Sequence, residues 1–174
     1  MSLLLIELAA SANEPSVDDL VRRTREVLER EGARLVETNH AEALARLYVI
    51  AEGEALDVLP AALERAELRV VESAPVRLIG TPAEQGSAQP SHSVEWDFPK
   101  GLAMDTYLKR KAEKTPLYAQ VPEVKFLRTY VREDMVKCVC LYDAPDEEAV
   151  RRARAVVSAP VDRLSRLGHE RDDD

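Results

Sequence analysis

The sequence lacks the features that identify several large classes of protein. Its longest apolar runs, residues 3–6 and 47–51, are far shorter than the roughly 20 residues that cross a bilayer. Its two cysteines, Cys138 and Cys140, are too few for a secreted disulfide scaffold. It has no glycine-rich phosphate loop, no Gly-x-Ser-x-Gly elbow and no His-Glu-x-x-His motif. These absences argue against nucleotide hydrolysis and against the common serine and zinc hydrolase mechanisms.

Aromatic residues are also scarce, and acidic residues outnumber basic ones. The 174 residues include two phenylalanines and one tryptophan, and the net charge is −8. A general nucleic-acid binder needs cationic grooves and stacking platforms, so we expect no nucleic-acid partner. With 45% hydrophobic and 32% charged residues the chain falls among globular proteins. Because it starts on a strand-like run without a basic leader, we expect a cytoplasmic protein with no membrane partner.

The clearest change in composition lies near the midpoint of the chain. Residues 80–91 are rich in Pro, Gly, Ser and Gln and carry almost no large apolar side chain, which is typical of a linker. The flanking halves share a first strand with a central glutamate, Glu7 or Glu95, and a closing Ser-Ala-Pro-Val segment. We therefore predict a duplication. Its parts are a degenerate first unit (1–80), a linker (81–91), a second unit (92–168) and an acidic tail (169–174).

Each half shows the same order of hydrophobic patterns. In the first half we predict strands at 3–8, 34–39 and 46–51 and a closing strand that starts at 68–71. We predict helices from Ser16 to Gly32 and over 53–65, with Pro60 inside the second helix. In the second half we predict strands at 94–98, 124–131, 136–143 and 161–164, and helices at 102–114 and 146–157. The order βαββαβ predicts tandem ferredoxin-like units of the α+β class. We expect them to form an α+β barrel as an internal pseudo-dimer, or to pair with a second chain as a homodimer.

Four motifs of the second half resemble a known family. They are VEWDFPKG at 94–101, TYVRED at 129–134, CLYDAPDEEA at 140–149 and PVDRL at 160–164. In this order they resemble a family of small ferredoxin-like proteins of unknown function that is often labelled nickel-binding, over about residues 93–166. The resemblance implies nickel as a ligand. Ala153 lies near the place where members usually carry a histidine, a candidate metal ligand, so we expect no cofactor, with nickel as the alternative.

Strand alternation suggests a site around the two glutamates. Val94, Trp96 and Phe98 share one face of a strand, and Glu95 lies on the other. If the apolar face meets the helices, Glu95 and its counterpart Glu7 face an enclosed space. A carboxyl group there can serve as an acid or base. The alternative is a structural glutamate that is solvated or paired with Arg128 or another cation.

Other polar residues of the second half extend this candidate site. Tyr130 and Arg128 alternate together on one strand and could orient a carbonyl or phenolic substrate, although tyrosines in sheets are more often packing residues. Tyr142 shares a face with Cys138 and Cys140 on the next strand. Strand geometry separates these two cysteines by roughly 7 Å, and the common state of such cysteines is a small buried hydrophobe.

The histidines and the basic runs have simple interpretations. His92 follows the linker and is predicted to be exposed, with a pairing to Glu95 as the alternative. The runs Lys109-Arg110-Lys111-Lys114 and Arg151-Arg152-Arg154 lie on predicted helices. We expect them to form solvated outer faces, with binding of an acidic partner as the alternative.

The functional prediction is a protein that binds a small molecule. It could be a cofactor-independent enzyme of the cyclase or isomerase type, with Glu95 and Tyr130 as catalytic residues. The substrate would then contact a set of four residues, Trp96, Arg128, Tyr142 and Glu7. The alternatives are a divalent-metal protein and a non-catalytic interaction module whose strand edges pair with a partner.

Overall fold

The computed structural model describes residues 1–10, 16–83 and 89–168. This part of the chain contains eight β-strands, paired antiparallel, and four α-helices, so the predicted α+β class is confirmed. No helix in it is long and apolar enough to span a membrane. Contacts divide the described residues into two units, one within Met1–Val76 together with Leu167 and Gly168, and the other within Arg77–Arg166.

The predicted domain boundaries differ from these limits and stay a prediction. The first unit was expected to end at residue 80, whereas the contacts place the division after Val76. Residues 84–88 of the predicted linker and the predicted acidic tail, 169–174, lie outside the described residues.

The first unit follows the predicted order of elements. It contains β1 (Ser2–Ala9), α1 (Val17–Arg30), β2 (Arg34–Ala41), β3 (Arg46–Gly53), α2 (Leu59–Arg65) and most of β4 (Val70–Gly80). The strand order is β4-β1-β3-β2. Ser16 caps α1 by accepting a hydrogen bond from Asp19 N, as predicted. α2 starts later than predicted, and Pro60 lies in its first turn, where a missing N–H costs no helical hydrogen bond.

In the first unit, alternate residues of β1 and β3 point into one hydrophobic core. Ile6 of β1 and Val49 of β3 are fully buried, and they belong to one cluster with Leu28 of α1 and Leu63 of α2. The helices therefore cover one face of this sheet.

The second unit repeats the order of elements. It contains β5 (His92–Asp97), α3 (Met104–Lys114), β6 (Lys125–Arg132), β7 (Lys137–Asp143), α4 (Glu147–Val156) and most of β8 (Arg163–Gly168), with strand order β8-β5-β7-β6. Asp146 caps α4 by accepting from Ala149 N. A 3-10 turn that was not predicted, Thr115–Gln120, follows α3.

Both faces of the second sheet are buried. On the helix-covered face, Val94, Cys140 and Tyr142 pack in one cluster with residues of α3 and α4. The opposite face is formed by the alternate strand residues, and these are buried too although most of them are polar: Ser93, Glu95, Arg128, Tyr130, Lys137 and Ser165. The charged residues among them, Glu95, Arg128 and Lys137, require hydrogen-bond or ionic partners when they are buried.

Candidate functional site

Glu95, the predicted acid or base, is held by two cations. Lys137 Nζ donates to Glu95 Oε1 at 2.6 Å, and Arg163 Nε donates to Oε2. The side chains of Glu95 and Lys137 are only 3% and 6% exposed. Arg163 also binds Asp97, and this contact lowers the pKa of Asp97. The arrangement favours the structural alternative, with Lys137 and Arg163 in the place expected for Arg128.

Three other predicted site residues also lie on sheet faces turned away from the helices. Tyr130 and Arg128 lie on β6 opposite Val139 and Leu141 of β7, and both are 2% exposed. Arg128 Nη1 donates to Thr81 O at 3.4 Å. Glu7 is buried in the first unit, on the face of β1 opposite to Ile6.

Trp96 and Tyr142, by contrast, lie on the helix-covered face of the second sheet. The Trp96 ring contacts Tyr107 of α3, with centroids 5.9 Å apart. Tyr142 is fully buried, and its hydroxyl lies 2.7 Å from Tyr118 Oη. The structure therefore divides the predicted site of the second unit between two faces, with Glu95, Tyr130 and Arg128 on one and Trp96 and Tyr142 on the other.

A pocket of about 290 Å³ opens on the helix-covered face. We call it the helix-side pocket. Its walls come from β5, α3, the following 3-10 turn, α4 and the segment after α4, and it is lined by Trp96, Tyr107, Arg110, Lys111, Lys114, Thr115, Tyr118, Arg154, Val157, Ser158, Ala159 and Pro160. Ser158 has a φ of +55°, a left-handed conformation that is uncommon for a residue other than glycine.

The charge of this lining has a single sign. Four of the lining residues are cationic, namely Arg110, Lys111, Lys114 and Arg154, and none is acidic. Three others, Trp96, Tyr107 and Tyr118, are aromatic. Lys111 Nζ lies 4.0 Å from the centroid of the Phe126 ring, a cation–π contact that fixes one of these charges.

Arg154 is the buried member of the cationic group. It is 2% exposed, and its Nη1 donates to Tyr142 Oη at 3.1 Å while Nη2 donates to Pro160 O at 2.5 Å. Its Nε is buried without an acceptor. Within the described residues no carboxylate forms an ion pair with it. A guanidinium stays charged in proteins, so its charge needs another compensation.

Two thiols lie close to Arg154. Cys138 Sγ and Cys140 Sγ are 3.8 Å apart, much closer than the predicted 7 Å, and both cysteines are free and buried. Arg154 Nη1 donates to Cys140 Sγ at 3.6 Å. The Cys138 thiol and the cations of Lys111 and Arg154 lower the pKa of Cys140, whereas burial raises the pKa of Cys138. The pair can hold one thiolate on Cys140 that faces the guanidinium.

The prediction that all of the basic residues form solvated faces is wrong for Arg154. On α4 the apolar stripe includes Val150, and Val157 just past the helix end continues it. Arg154 occupies the position between them, at the spacing i, i+4, i+7 that marks a core-facing residue. That spacing was the signal in the sequence that could have identified Arg154 as buried.

The prediction that His92 is exposed is wrong. His92 is the first residue of β5 and is 3% exposed. Its Nδ1 lies 2.8 Å from Ser91 Oγ. Burial lowers the pKa of His92, and Arg166 contributes in the same direction. His92 has the strand parity of Val94, so it does not share the face of Glu95.

A nickel ion would need several His, Cys, Asp or Glu side chains close together. Within the described residues no group of three or more His, Cys, Asp or Glu side chains is placed to hold a metal. The two thiols of Cys138 and Cys140 would need further ligands. The described residues therefore offer two neighbouring thiols and no third ligand of these types beside them.

Solved structures with similar folds cover almost the whole chain. The crystal structure of the "Putative Chlorite dismutase TA0507" has a TM-score of 0.54 at 14% identity, and the match covers 97% of this chain and 96% of that one. The crystal structure of a "putative monooxygenase from Lactobacillus acidophilus NCFM" has a TM-score of 0.51 at 11% identity, with 96% and 92% covered. At these identities the likeness is one of fold alone.

Sequence comparison adds one family. No curated protein sequence matches the chain. Residues 94–167 match the model of the family described as "Nickel responsive protein SCO4226-like", so this part of the chain is similar to that family, as the four motifs of the second half predicted.

Proposed function

We propose that the protein binds a small organic molecule in the helix-side pocket. The observation that carries this proposal is the pocket itself, which combines aromatic walls with the buried guanidinium of Arg154. Its volume of about 290 Å³ lies just below the roughly 300–1,000 Å³ that is typical of small-molecule sites. Such sites place a few polar groups within a largely apolar lining, as this one does.

Of the residues that the sequence predicted to contact substrate, Trp96 forms part of the pocket wall. Tyr142 is fully buried outside the lining, and its hydroxyl group accepts a hydrogen bond from Arg154. Proton transfer by Glu95 and Tyr130 is not part of the proposal. Both oxygens of Glu95 are bound by cations, and Glu95 and Tyr130 lie on the opposite face of the sheet.

The proposed scaffold is a pair of tandem ferredoxin-like units. The repeated order βαββαβ and the matching strand orders of the two units support it. In this arrangement only the second unit carries the clustered aromatic side chains that line the pocket, because the first half of the chain has a single aromatic residue, Tyr48.

Trp96 provides a direct test because it is the only tryptophan. Its fluorescence, and the single indole N–H resonance, should respond when small aromatic compounds enter the pocket. The substitution Ala159→Leu places extra carbon atoms in the pocket and should abolish the response. Ala119→Leu, at an exposed position outside the lining, is the matched control. Binding that is unchanged by Ala159→Leu would contradict the proposal.

The family match favours a second candidate function, the binding of Ni²⁺. It rests on the similarity of residues 94–167 to a nickel-responsive family, whereas the described residues offer no cluster of three ligands. Calorimetric titration with Ni²⁺ tests it. A dissociation constant no tighter than ~0.1 mM, about 5–6 kcal/mol of binding free energy, would reject nickel binding. The double variant Cys138→Ala/Cys140→Ala would show whether the thiols take part.

A further inference from the structure

We infer that the ligand of the helix-side pocket is an organic anion, with an aromatic body and a carboxylate that pairs with Arg154. The inference rests on the proposed small-molecule function and adds the chemical class of the ligand. The four cationic residues, the buried guanidinium and the aromatic walls each support a part of it.

The first support is the sign of the charge around the pocket. The chain as a whole carries a net charge of −8, yet the pocket lining has four cations and no carboxylate. Clefts lined by charges of one sign concentrate the electric field and raise the local concentration of ligands of opposite sign. A neutral ligand would gain nothing from this arrangement, whereas an anion would.

The second support is the burial of Arg154. A buried guanidinium is strongly unfavourable unless it is paired with an anion and its donors are satisfied. Within the described residues its partners are Tyr142 Oη, Cys140 Sγ and Pro160 O, all reached through Nη1 or Nη2. A thiolate on Cys140 would compensate the charge through Nη1 alone, and Nε has no acceptor. A carboxylate matches the planar donor pattern of a guanidinium better than other common groups do.

The third support is the shape and chemistry of the walls. Trp96 and Tyr107 form one aromatic group, with ring planes inclined by 52°, and Tyr118 lies elsewhere in the lining. Aromatic walls favour a flat apolar body, whose burial provides most of the affinity in small-molecule sites. Lys114 and Arg110 are exposed at the pocket, so they can attract the anion before Arg154 binds it.

The test uses probes that differ only in charge. The full-length protein is titrated with benzoate, phenylacetate and 1-naphthoate, and with the matching amides, while the Trp96 indole resonance is followed. We expect each carboxylate to bind at least tenfold more tightly than its amide. Acetate, which carries the charge without the ring, should bind at least tenfold more weakly than 1-naphthoate. Raising the salt concentration should weaken the binding of the carboxylates only.

Three variants locate the anion. Arg154→Lys keeps the positive charge but removes the planar donor pattern, and it should reduce the preference for carboxylates over amides at least fivefold. Lys114→Gln changes an exposed cation of the pocket and should weaken carboxylate binding two- to threefold. Lys109→Gln is the control, since Lys109 is an exposed cation of the same helix outside the lining. Lys114→Gln keeps the test decisive if Arg154→Lys does not fold.

The outcomes separate this inference from the function on which it rests. Equal binding of carboxylates and amides, or equal effects of Lys114→Gln and Lys109→Gln, would overturn the anion assignment and leave small-molecule binding in place. A Trp96 resonance that responds to none of the probes would overturn both.

Discussion

Lys137 Nζ lies 2.6 Å from Glu95 Oε1, and both side chains are almost completely buried on the sheet face turned away from the helices. The other carboxylate oxygen of Glu95, Oε2, forms a salt bridge with Arg163 Nε. A buried carboxylate with two cationic partners is a structural unit, because removing the carboxylate takes the shared anion away from both cations in a medium that solvates them poorly.

The first prediction concerns this unit. Glu95→Gln removes the carboxylate that binds the buried Lys137 and should lower the free energy of unfolding by about 3–5 kcal/mol. Urea denaturation of wild type and variant measures the loss. The double variant Glu95→Leu/Lys137→Met removes both charges of the close pair and should recover most of the stability.

The control for this prediction is an exposed ion pair. Arg22 pairs with Asp19 and Glu26 on the surface of α1, so Arg22→Ala should change stability little. If Glu95→Gln were as stable as the wild type, the structural role assigned to Glu95 would be wrong, and its predicted role as an acid or base would gain weight.

Gly80 allows a prediction about the backbone at the end of β4. Its φ is +108°, and a Cβ atom there would lie 2.6 Å from Leu127 O. Gly80→Ala therefore combines an unfavourable φ with a backbone clash, and we expect a loss of at least about 2 kcal/mol in the free energy of unfolding. Gly32→Ala isolates the effect of the unfavourable φ, because the φ of Gly32 is +79° and no atom lies within 4 Å of the added Cβ. It should cost about 1 kcal/mol. Equal losses would contradict the clash.

Much of the fold could be predicted because its causes are local. The caps Ser16 and Asp146, strand alternation and helical spacing together gave the order of all eight strands and four helices. The errors occurred where tertiary pairing overrides local signals. The closing strand was predicted to start at Leu68, yet β4 begins at Val70 and pairs with β1 as far as Val76, which lies opposite Leu3.

The candidate site was less predictable because its partners are distant in sequence. Alternation placed Glu95 and Trp96 on opposite faces correctly. It could not supply the cations of Glu95, which lie 42 and 68 residues further along the chain. The helix-side pocket depends on where α3 and α4 lie over the sheet, and no motif in the sequence encodes that placement. Of the features of this pocket, the burial of Arg154 could have been predicted from its position within an apolar stripe of α4.

The thiol pair gives a prediction about ionisation. Because Cys138 and Arg154 stabilise the thiolate of Cys140, ultraviolet absorbance should detect a thiolate below the usual pKa of cysteine, about 8.5. Cys138→Ala removes the thiol donor and should move this titration to higher pH. Cys140→Ala should abolish it. If the wild-type protein shows no thiolate absorbance at pH values below 8.5, both thiols stay protonated there. The positive charge of Arg154 would then not be compensated by a thiolate on Cys140.

The last prediction concerns the pH dependence of stability through His92. Burial lowers the pKa of His92 in the folded state, with Arg166 acting in the same direction and Glu147 and Asp146 against it. Below the unfolded value of about 6.5 the unfolded chain therefore binds more protons than the folded one, and stability must fall as the pH decreases.

His92→Gln removes this proton linkage. Between pH 7 and pH 5 the free energy of unfolding of the variant should decline less steeply than that of the wild type, by up to about 1.4 kcal/mol per pH unit, the limit for one proton. Above pH 7, where His92 is neutral in both states, the two curves should run parallel. Urea denaturation at a series of pH values measures both slopes. Parallel curves below pH 6.5 would show that His92 takes up its proton as easily when folded as when unfolded, contrary to its burial on β5.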